Sequence, residues 1–258
     1  MLSYIKSEFY KVFNSKAIYL NIGIFMGLVI LMNSVLAITD KTTIDFQYAT
    51  TKFSFGMLLD FLPIISMLCL ILVLTVSPNE LKYKTLKNSI SYGVTRTQIY
   101  IGKTIVAMAC AALCLVLVSL IYIGSAYLLL DDSGPQYLVN FILTLVTSIP
   151  AFLASLTLGI ATLLIFSNES LIWTIWSIIM IFIPIIIFLL GMKFDLFNQL
   201  GNWLLFTQQS STINSGGPTV HIFMHSSNNL FRYVTSGLLG TFIFFILGLL
   251  AFRKKDLN

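Results

Sequence analysis

Charged side chains are scarce in this chain of 258 residues, since only 10% of its positions carry a charge and 57% are hydrophobic. So few charges cannot cover the surface of a water-soluble domain. The scarcity excludes a soluble protein and predicts an integral membrane protein, folded as a single domain over residues 1–258. The net charge of +5 does not indicate a nucleic-acid partner. The basic residues are scattered over loops beside apolar runs, as expected for a membrane protein.

Residues for metal or hydrolytic chemistry are also scarce. Cys69, Cys110 and Cys114 lie inside apolar runs, which favours buried thiols over a disulfide framework. His221 and His225 are four positions apart, but one pair without a His-Glu-x-x-His pattern cannot complete a zinc shell. The apolar runs lack clustered carboxylates, so the sequence predicts no metal site, no ion relay and no catalytic residues.

Six apolar runs are long enough to cross a bilayer, at about 20 residues each. They cover residues 17–38, 57–77, 104–130, 137–166, 171–190 and 233–252. With a cytoplasmic N-terminus, 11 of the 15 Lys and Arg residues fall on the inner side, as the positive-inside rule requires. The pattern predicts an all-α protein with six spans and both termini in the cytoplasm.

The N-terminal segment, residues 2–14, is amphipathic. Ile5, Phe9 and Phe13 recur at helical spacing with charged residues between them, and Tyr4 belongs to the same segment. This pattern predicts a helix that lies in the membrane interface.

Two further features concern helix placement and packing. Residues 194–206, between spans five and six, have aromatic and aliphatic residues three and four positions apart. They predict an amphipathic or re-entrant helix at the outer interface. Gly23 and Gly27 form a Gly-x-x-x-Gly motif in the first span, which permits close packing either within the protomer or across a dimer.

The segment between spans two and three is the most basic long stretch of the chain. Ser77 and Glu80 have the spacing of a capping box, which predicts a helix start. Gly93 predicts a chain reversal, and Thr95 with Gln98 repeats the capping-box spacing before the next span. The segment is therefore expected to form a polar helix-turn-helix.

Nucleotide binding in this segment is not supported. Gly102-Lys103-Thr104 resembles the end of a phosphate-binding loop, but position 97 is Thr where that motif requires Gly. Lys103 is instead expected to snorkel from the membrane boundary toward the headgroups.

The order of these features resembles the membrane permease subunit of type-two ABC exporters. That family has six spans, an N-terminal "elbow" helix and a short first outer loop. The cytoplasmic motif between its spans two and three commonly has Glu, then Thr-Leu, a small-residue turn, Arg and Gly-Lys. The matching positions here are Glu80, Lys84-Thr85-Leu86, Gly93, Arg96 and Gly102-Lys103. The family usually has Gly where this chain has Lys84.

The resemblance implies a non-enzymatic subunit without cofactors of its own. ATP and Mg²⁺ would bind to two copies of a separate cytoplasmic ATPase, and a second permease subunit, identical or related, would pair with this chain in the membrane lipid. Residues 78–90 would form the coupling helix that docks on the ATPase. The residues implied in coupling are Glu80, Lys84, Thr85, Leu86 and Arg96, and those of the elbow are Tyr4, Ile5, Phe9 and Phe13.

The resemblance also implies a direction and a cargo. Short members of this type in Gram-positive bacteria export antimicrobial or amphipathic peptides or give immunity against them. The chain would then sit in a bacterial plasma membrane and move an amphipathic or hydrophobic cargo, such as a peptide, out of the cell or membrane. A non-transporting scaffold or sensor, whose basic loop binds a cytoplasmic partner, is the alternative.

Overall fold

The computed structural model describes residues 2–43, 46–60, 62–76, 90–166, 168–201, 203–204, 211–213, 220–222 and 227–255. Nearly all of this part of the chain is helical. The elements in order are α1 (Leu2–Phe13), α2 (Lys16–Thr42), α3 (Thr51–Asp60), α4 (Leu62–Val76), α5 (Arg96–Leu129), α6 (Pro135–Ile165), α7 (Glu169–Ser177), a π-helical turn (Ile178–Phe182), α8 (Ile183–Gly191), α9 (Asp195–Gly201), β1 (Ser211–Ile213), β2 (Val220–Ile222) and α10 (Ser227–Lys254).

In the described part of the chain, five helices are long and apolar enough to cross a membrane. They are α2, α5, α6, the continuous rod of α7 and α8, and α10, and they lie over the first, third, fourth, fifth and sixth predicted spans. The second predicted span, residues 57–77, falls on α3 and α4, whose longest described apolar stretch is Ile65–Thr75. The six-span layout therefore stays a prediction.

The region after α8 contains both a confirmed and a missed element. The helix predicted within residues 194–206 is present as α9. The short strands β1 and β2 pair antiparallel, with Thr212 opposite His221, whereas an all-α chain was predicted. Their Thr, Ile and Val residues favour extended backbone because side chains branched at Cβ fit a pleated strand.

Helix α6 is the most buried of the candidate spans, and α10 packs along much of its length. The two helices approach closely because α10 has glycine at two contact points. A Cβ atom at Gly237 would lie 2.7 Å from Pro150 Cβ, and one at Gly248 would lie 2.5 Å from Ala161 Cβ. Between these points Thr241 Oγ1 donates a hydrogen bond to Pro150 O at 3.1 Å. No side chain fits at these two positions of α10.

A buried polar network joins α2, α3 and α5. Ser54 Oγ donates to Asn33 Oδ1 at 2.7 Å, and Asn33 Nδ2 donates to Ser125 Oγ at 2.7 Å. The Tyr122 hydroxyl donates to Ser54 O at 2.6 Å. Because a lone polar group is costly in an apolar interior, this mutual pairing fixes how the three helices pack.

The loops beyond these helices are joined to each other as well. Thr51 N donates to Asp131 O at 2.9 Å, and Asp131 N donates to Ala49 O at 3.0 Å. Ser133 N donates to Thr51 Oγ1 at 2.9 Å. These bonds connect the α2–α3 loop to the α5–α6 loop at one end of the helix bundle.

Candidate functional site

At the opposite end of the bundle, α1, the start of α5 and the end of α10 meet. We call this end the terminal face. The chain enters it through a turn in which Gly93 has a φ of 85°, a conformation that only glycine adopts at no steric cost. Thr95 Oγ1 then accepts a hydrogen bond from Gln98 N, and Gln98 Oε1 accepts one from Thr95 N at 3.1 Å. The predicted reversal and the predicted capping box are both confirmed.

Arg96, in the first turn of α5, holds the end of α10. Its Nη1 donates to Arg253 O at 2.9 Å and also to Lys255 O. These carbonyls belong to the end of a helix, where intrahelical donors run out. Lys255 Nζ in turn donates to Leu164 O, at the end of α6, at 3.1 Å. Three helix ends are therefore tied together beside the turn at Gly93.

Burial of Lys255 has an electrostatic consequence. It lowers the pKa of the Lys255 ammonium from its ordinary value, because desolvation disfavours the charged form. The carbonyl of Leu164 stands close enough to accept a hydrogen bond from this nitrogen in either protonation state.

Helix α1 forms over the predicted elbow and packs on α2 and α5. Ile5 and Phe9 pack against a buried cluster that includes Val12 and Cys110. The Tyr4 ring covers Gly102, where a Cβ atom would lie 2.8 Å from Tyr4 Cδ1.

The other side of α1 remains exposed. Phe13 is 46% exposed, and its ring stacks on Phe9 with centroids 6.0 Å apart. The helix thus has one face packed on the protein and an apolar fringe left outside it, while its position in the membrane interface stays a prediction.

A buried ion cluster fixes α1 to α5. Glu8 Oε2 lies 3.0 Å from Lys103 Nζ, and Glu8 Oε1 lies 2.6 Å from Lys11 Nζ. The side chains of Glu8 and Lys103 are 1% and 2% exposed, whereas that of Lys11 is 55% exposed. The prediction that Lys103 snorkels toward the headgroups is wrong. Its long stem points into the α1–α5 interface because the carboxylate of Glu8 lies there to pair with it.

The other residues predicted to act in coupling or packing have different outcomes. Glu80, Lys84, Thr85 and Leu86 lie outside the described residues, so their assignment stays a prediction. At Gly23 and Gly27 an added Cβ atom would meet nothing within 4 Å. Both glycines are exposed on α2, so the motif is not used for packing against the described part of this protomer. Packing against a second copy stays a prediction.

An apolar cavity of about 270 Å³ lies between α2, α4, α5 and α6. Phe25, Leu72, Cys114 and Leu156 form part of its wall, and all four are buried. Among the described residues of its lining, only Ser119 and Tyr122 carry a hydroxyl group. The sequence pattern did not reveal this cavity, because its wall is assembled from four separate helices.

In the part of the chain that the structure describes, no group of His, Cys, Asp or Glu could hold a metal ion. The arrangement consists instead of a rigid set of helix ends at the terminal face and an apolar space farther along the bundle. Such an arrangement can transmit movement between helices and accommodate apolar groups.

Comparison with known proteins agrees with this description. Residues 20–213 match the family model described as "Multidrug efflux system permease Rv1217c, C-terminal domain". No curated protein matches the chain. The matched stretch is more than half of the sequence and includes the four helices around the cavity and the turn at Gly93, though not α1 or α10. The chain therefore belongs to the family of multidrug efflux system permeases and is a membrane permease of an efflux system.

Proposed function

We propose that this permease is the membrane subunit of an ATP-driven ABC exporter for amphipathic or hydrophobic cargo, peptides included. A separate cytoplasmic ATPase, present in two copies, supplies the ATP and Mg²⁺ chemistry. A second permease subunit completes the path through a bacterial plasma membrane, with both termini of this chain in the cytoplasm.

The observation that carries the proposal is the clamp that Arg96 makes on the end of α10. The turn at Gly93 precedes α5, and α5 begins with this clamp. A push on the segment from an ATPase would therefore reach α5 and α10 together. Rigid helices that share fixed contacts move as bodies between discrete packed states, which suits transmission over a distance.

The cargo class is supported by the charge distribution of the spans. Among the described residues the candidate spans bury one charged pair, Glu8 with Lys103, and it lies between α1 and the first turns of α5. A route for a small ion normally carries carboxylates, His or Lys within the membrane. Apolar walls instead suit a cargo that partitions into the bilayer.

The test is coupled ATP hydrolysis by the permease reconstituted with its ATPase. Glu80→Gln and Leu86→Ala should lower both cargo-stimulated ATP hydrolysis and transport of a fluorescent amphipathic peptide, while membrane insertion stays normal. Glu169→Gln and Leu171→Ala are matched controls, because both residues are exposed at the start of α7 and lie outside the coupling segment. Both controls should retain wild-type rates.

Two results would contradict the proposal. Normal transport after replacement of residues 78–90 by a Gly/Ser linker would show that the segment does not couple the two subunits. Binding of an ATPase without any ATP-dependent flux would favour the scaffold or sensor function.

A further inference from the structure

The apolar cavity between α2, α4, α5 and α6 has no role in the coupling described above. It lies within one protomer, and its lining does not include residues of the terminal face. We infer that it is a binding site for a single acyl chain of a membrane phospholipid.

The chemistry of the wall excludes water as a stable occupant. A buried water molecule needs two to four polar partners, and in the lining that the structure describes only Ser119 and Tyr122 supply hydroxyl groups. Both are already engaged, because Ser119 Oγ donates to Val116 O at 3.0 Å and the Tyr122 hydroxyl donates to Ser54 O at 2.6 Å. An empty cavity is also unfavourable, since its lining atoms lose dispersion contacts.

The size of the cavity fits one chain. An apolar cavity of about 150 Å³ accommodates benzene, with its six carbon atoms. A volume of about 270 Å³ then holds on the order of ten carbon atoms at the same density.

The shape of the cavity fits a chain rather than a compact molecule. Along α5 the wall runs from Met108 to Tyr122, which is about 21 Å of helix at 1.5 Å per residue. Along α6 it runs from Leu145 to Leu156, or about 16 Å. The hydrocarbon core of one leaflet is about 15 Å thick. An extended acyl chain therefore matches the length of this wall.

The cavity opens toward the bilayer. Leu28, Val116 and Ile149 belong to its lining and are exposed on the outside of the bundle. They lie on α2, α5 and α6, so an acyl chain from the surrounding lipid reaches the interior without crossing a polar barrier. The headgroup stays outside, because the described residues of the wall offer no charged side chain to bind it.

Cys110 and Cys114 provide a matched pair of positions for a test. They lie one turn apart on α5 and are buried to nearly the same degree, at 6% and 5% exposed. Cys114 lines the cavity, whereas Cys110 packs against the cluster beneath α1. A probe inside the cavity therefore reaches Cys114 but not Cys110.

The experiment uses the full chain in vesicles of phosphatidylethanolamine and phosphatidylglycerol. These contain a phosphatidylcholine with a photoreactive diazirine in one acyl chain. After irradiation, mass spectrometry maps the labelled residues. We expect label on the interior residues Cys114, Leu72 and Leu156, none on Cys110, and label on the exposed Leu113 as the lipid-facing reference.

A cavity-filling variant tests the site directly. Ala111 lines the cavity, so Ala111→Phe should abolish the interior label and leave the label at Leu113 unchanged. Leu120→Phe, at another exposed position of the same helix, is the matched control and should leave both unchanged. If size-exclusion chromatography shows that Ala111→Phe does not fold, Ala111→Leu takes its place.

Label at Leu113 without label at Cys114 would overturn the inference, as expected if the cavity were empty or filled by a second copy of the chain. Interior label that persists in a folded cavity-filled variant would overturn it too. The experiment involves neither ATP nor a partner subunit, so its result does not depend on the proposed transport function.

Discussion

Replacement of Glu8 by Gln should release α1 from the bundle. The variant keeps the shape of the side chain but removes the negative charge that lies 3.0 Å from Lys103 Nζ. The pair is almost fully buried, and removal of one partner from a buried pair costs about 3–5 kcal/mol. The contribution of Lys11 is small by comparison, because an exposed ion pair of this helical spacing is worth only about 0.2–0.5 kcal/mol.

The opening of α1 can be measured through Cys110, whose thiol is buried beneath it. A cost of about 3–5 kcal/mol raises the population of the open state by roughly two to three and a half orders of magnitude, at 1.4 kcal/mol for each factor of ten. The rate at which Cys110 reacts with a small maleimide in detergent should increase accordingly. Cys114, which does not contact α1, should react at the wild-type rate.

Two further variants decide whether lost charge or altered packing causes the increased reactivity of Cys110. Lys11→Met should leave the reactivity of Cys110 nearly unchanged. Glu8→Met combined with Lys103→Met should recover most of the protection, because an apolar pair of similar volume often replaces a buried ion pair without loss. If Glu8→Gln protects Cys110 as well as the wild type does, the ion pair does not hold α1. If the double variant is as open as the single one, packing rather than charge is responsible.

Other contacts lead to three further predictions. Gly237→Ala should destabilise the protein by about 1–3 kcal/mol through overpacking against Pro150. Gly124→Ala, where a Cβ atom meets nothing within 4 Å, should instead stabilise it by up to about 1 kcal/mol. Melting temperatures that shift in the same direction for both variants would contradict this pair of predictions. Arg96→Gln should cost about 1–2 kcal/mol, since hydrogen bonds from a charged donor are lost, and faster amide exchange confined to the end of α10 would verify it. The pKa of Lys255 is lowered on folding, so its burial penalty is complete below the lowered pKa and disappears as the pH rises from there toward about 10.4. The stability of the wild type relative to Lys255→Met should therefore rise over that range, and a stability difference that does not change with pH would contradict the assignment.

Local patterns explain what the sequence could predict. The reversal at Gly93 and the capping box of Thr95 and Gln98 depend on residues at most three positions apart, and both are present. The candidate spans could be predicted because an apolar run of about 20 residues is typical of a transmembrane helix.

Contacts between distant residues explain what the sequence could not predict. Glu8 and Lys103 are separated by 95 positions, and Arg96 is separated from Arg253 by 157. Each of these residues has an ordinary interpretation in its own segment, as part of a polar helix face or an inner-side charge. Only the packing of α1 and α10 against α5 reveals their partners. Lys103 itself was the one sequence signal of such a contact. A charged residue within a long apolar helix normally requires an oppositely charged partner or access to water.

The glycines of α10 restrict the ways in which the permease can change conformation. The residues one turn before and after Gly248 are Phe244 and Phe252. A slide of α10 along α6 by one turn, about 5.4 Å, would bring a phenylalanine to a place where even a methyl carbon lies 2.5 Å from Ala161 Cβ. The two helices are therefore locked in register and must tilt or shift as one body. Any rearrangement during efflux has to occur at other interfaces, such as that of α8, which has no buried residue in this protomer.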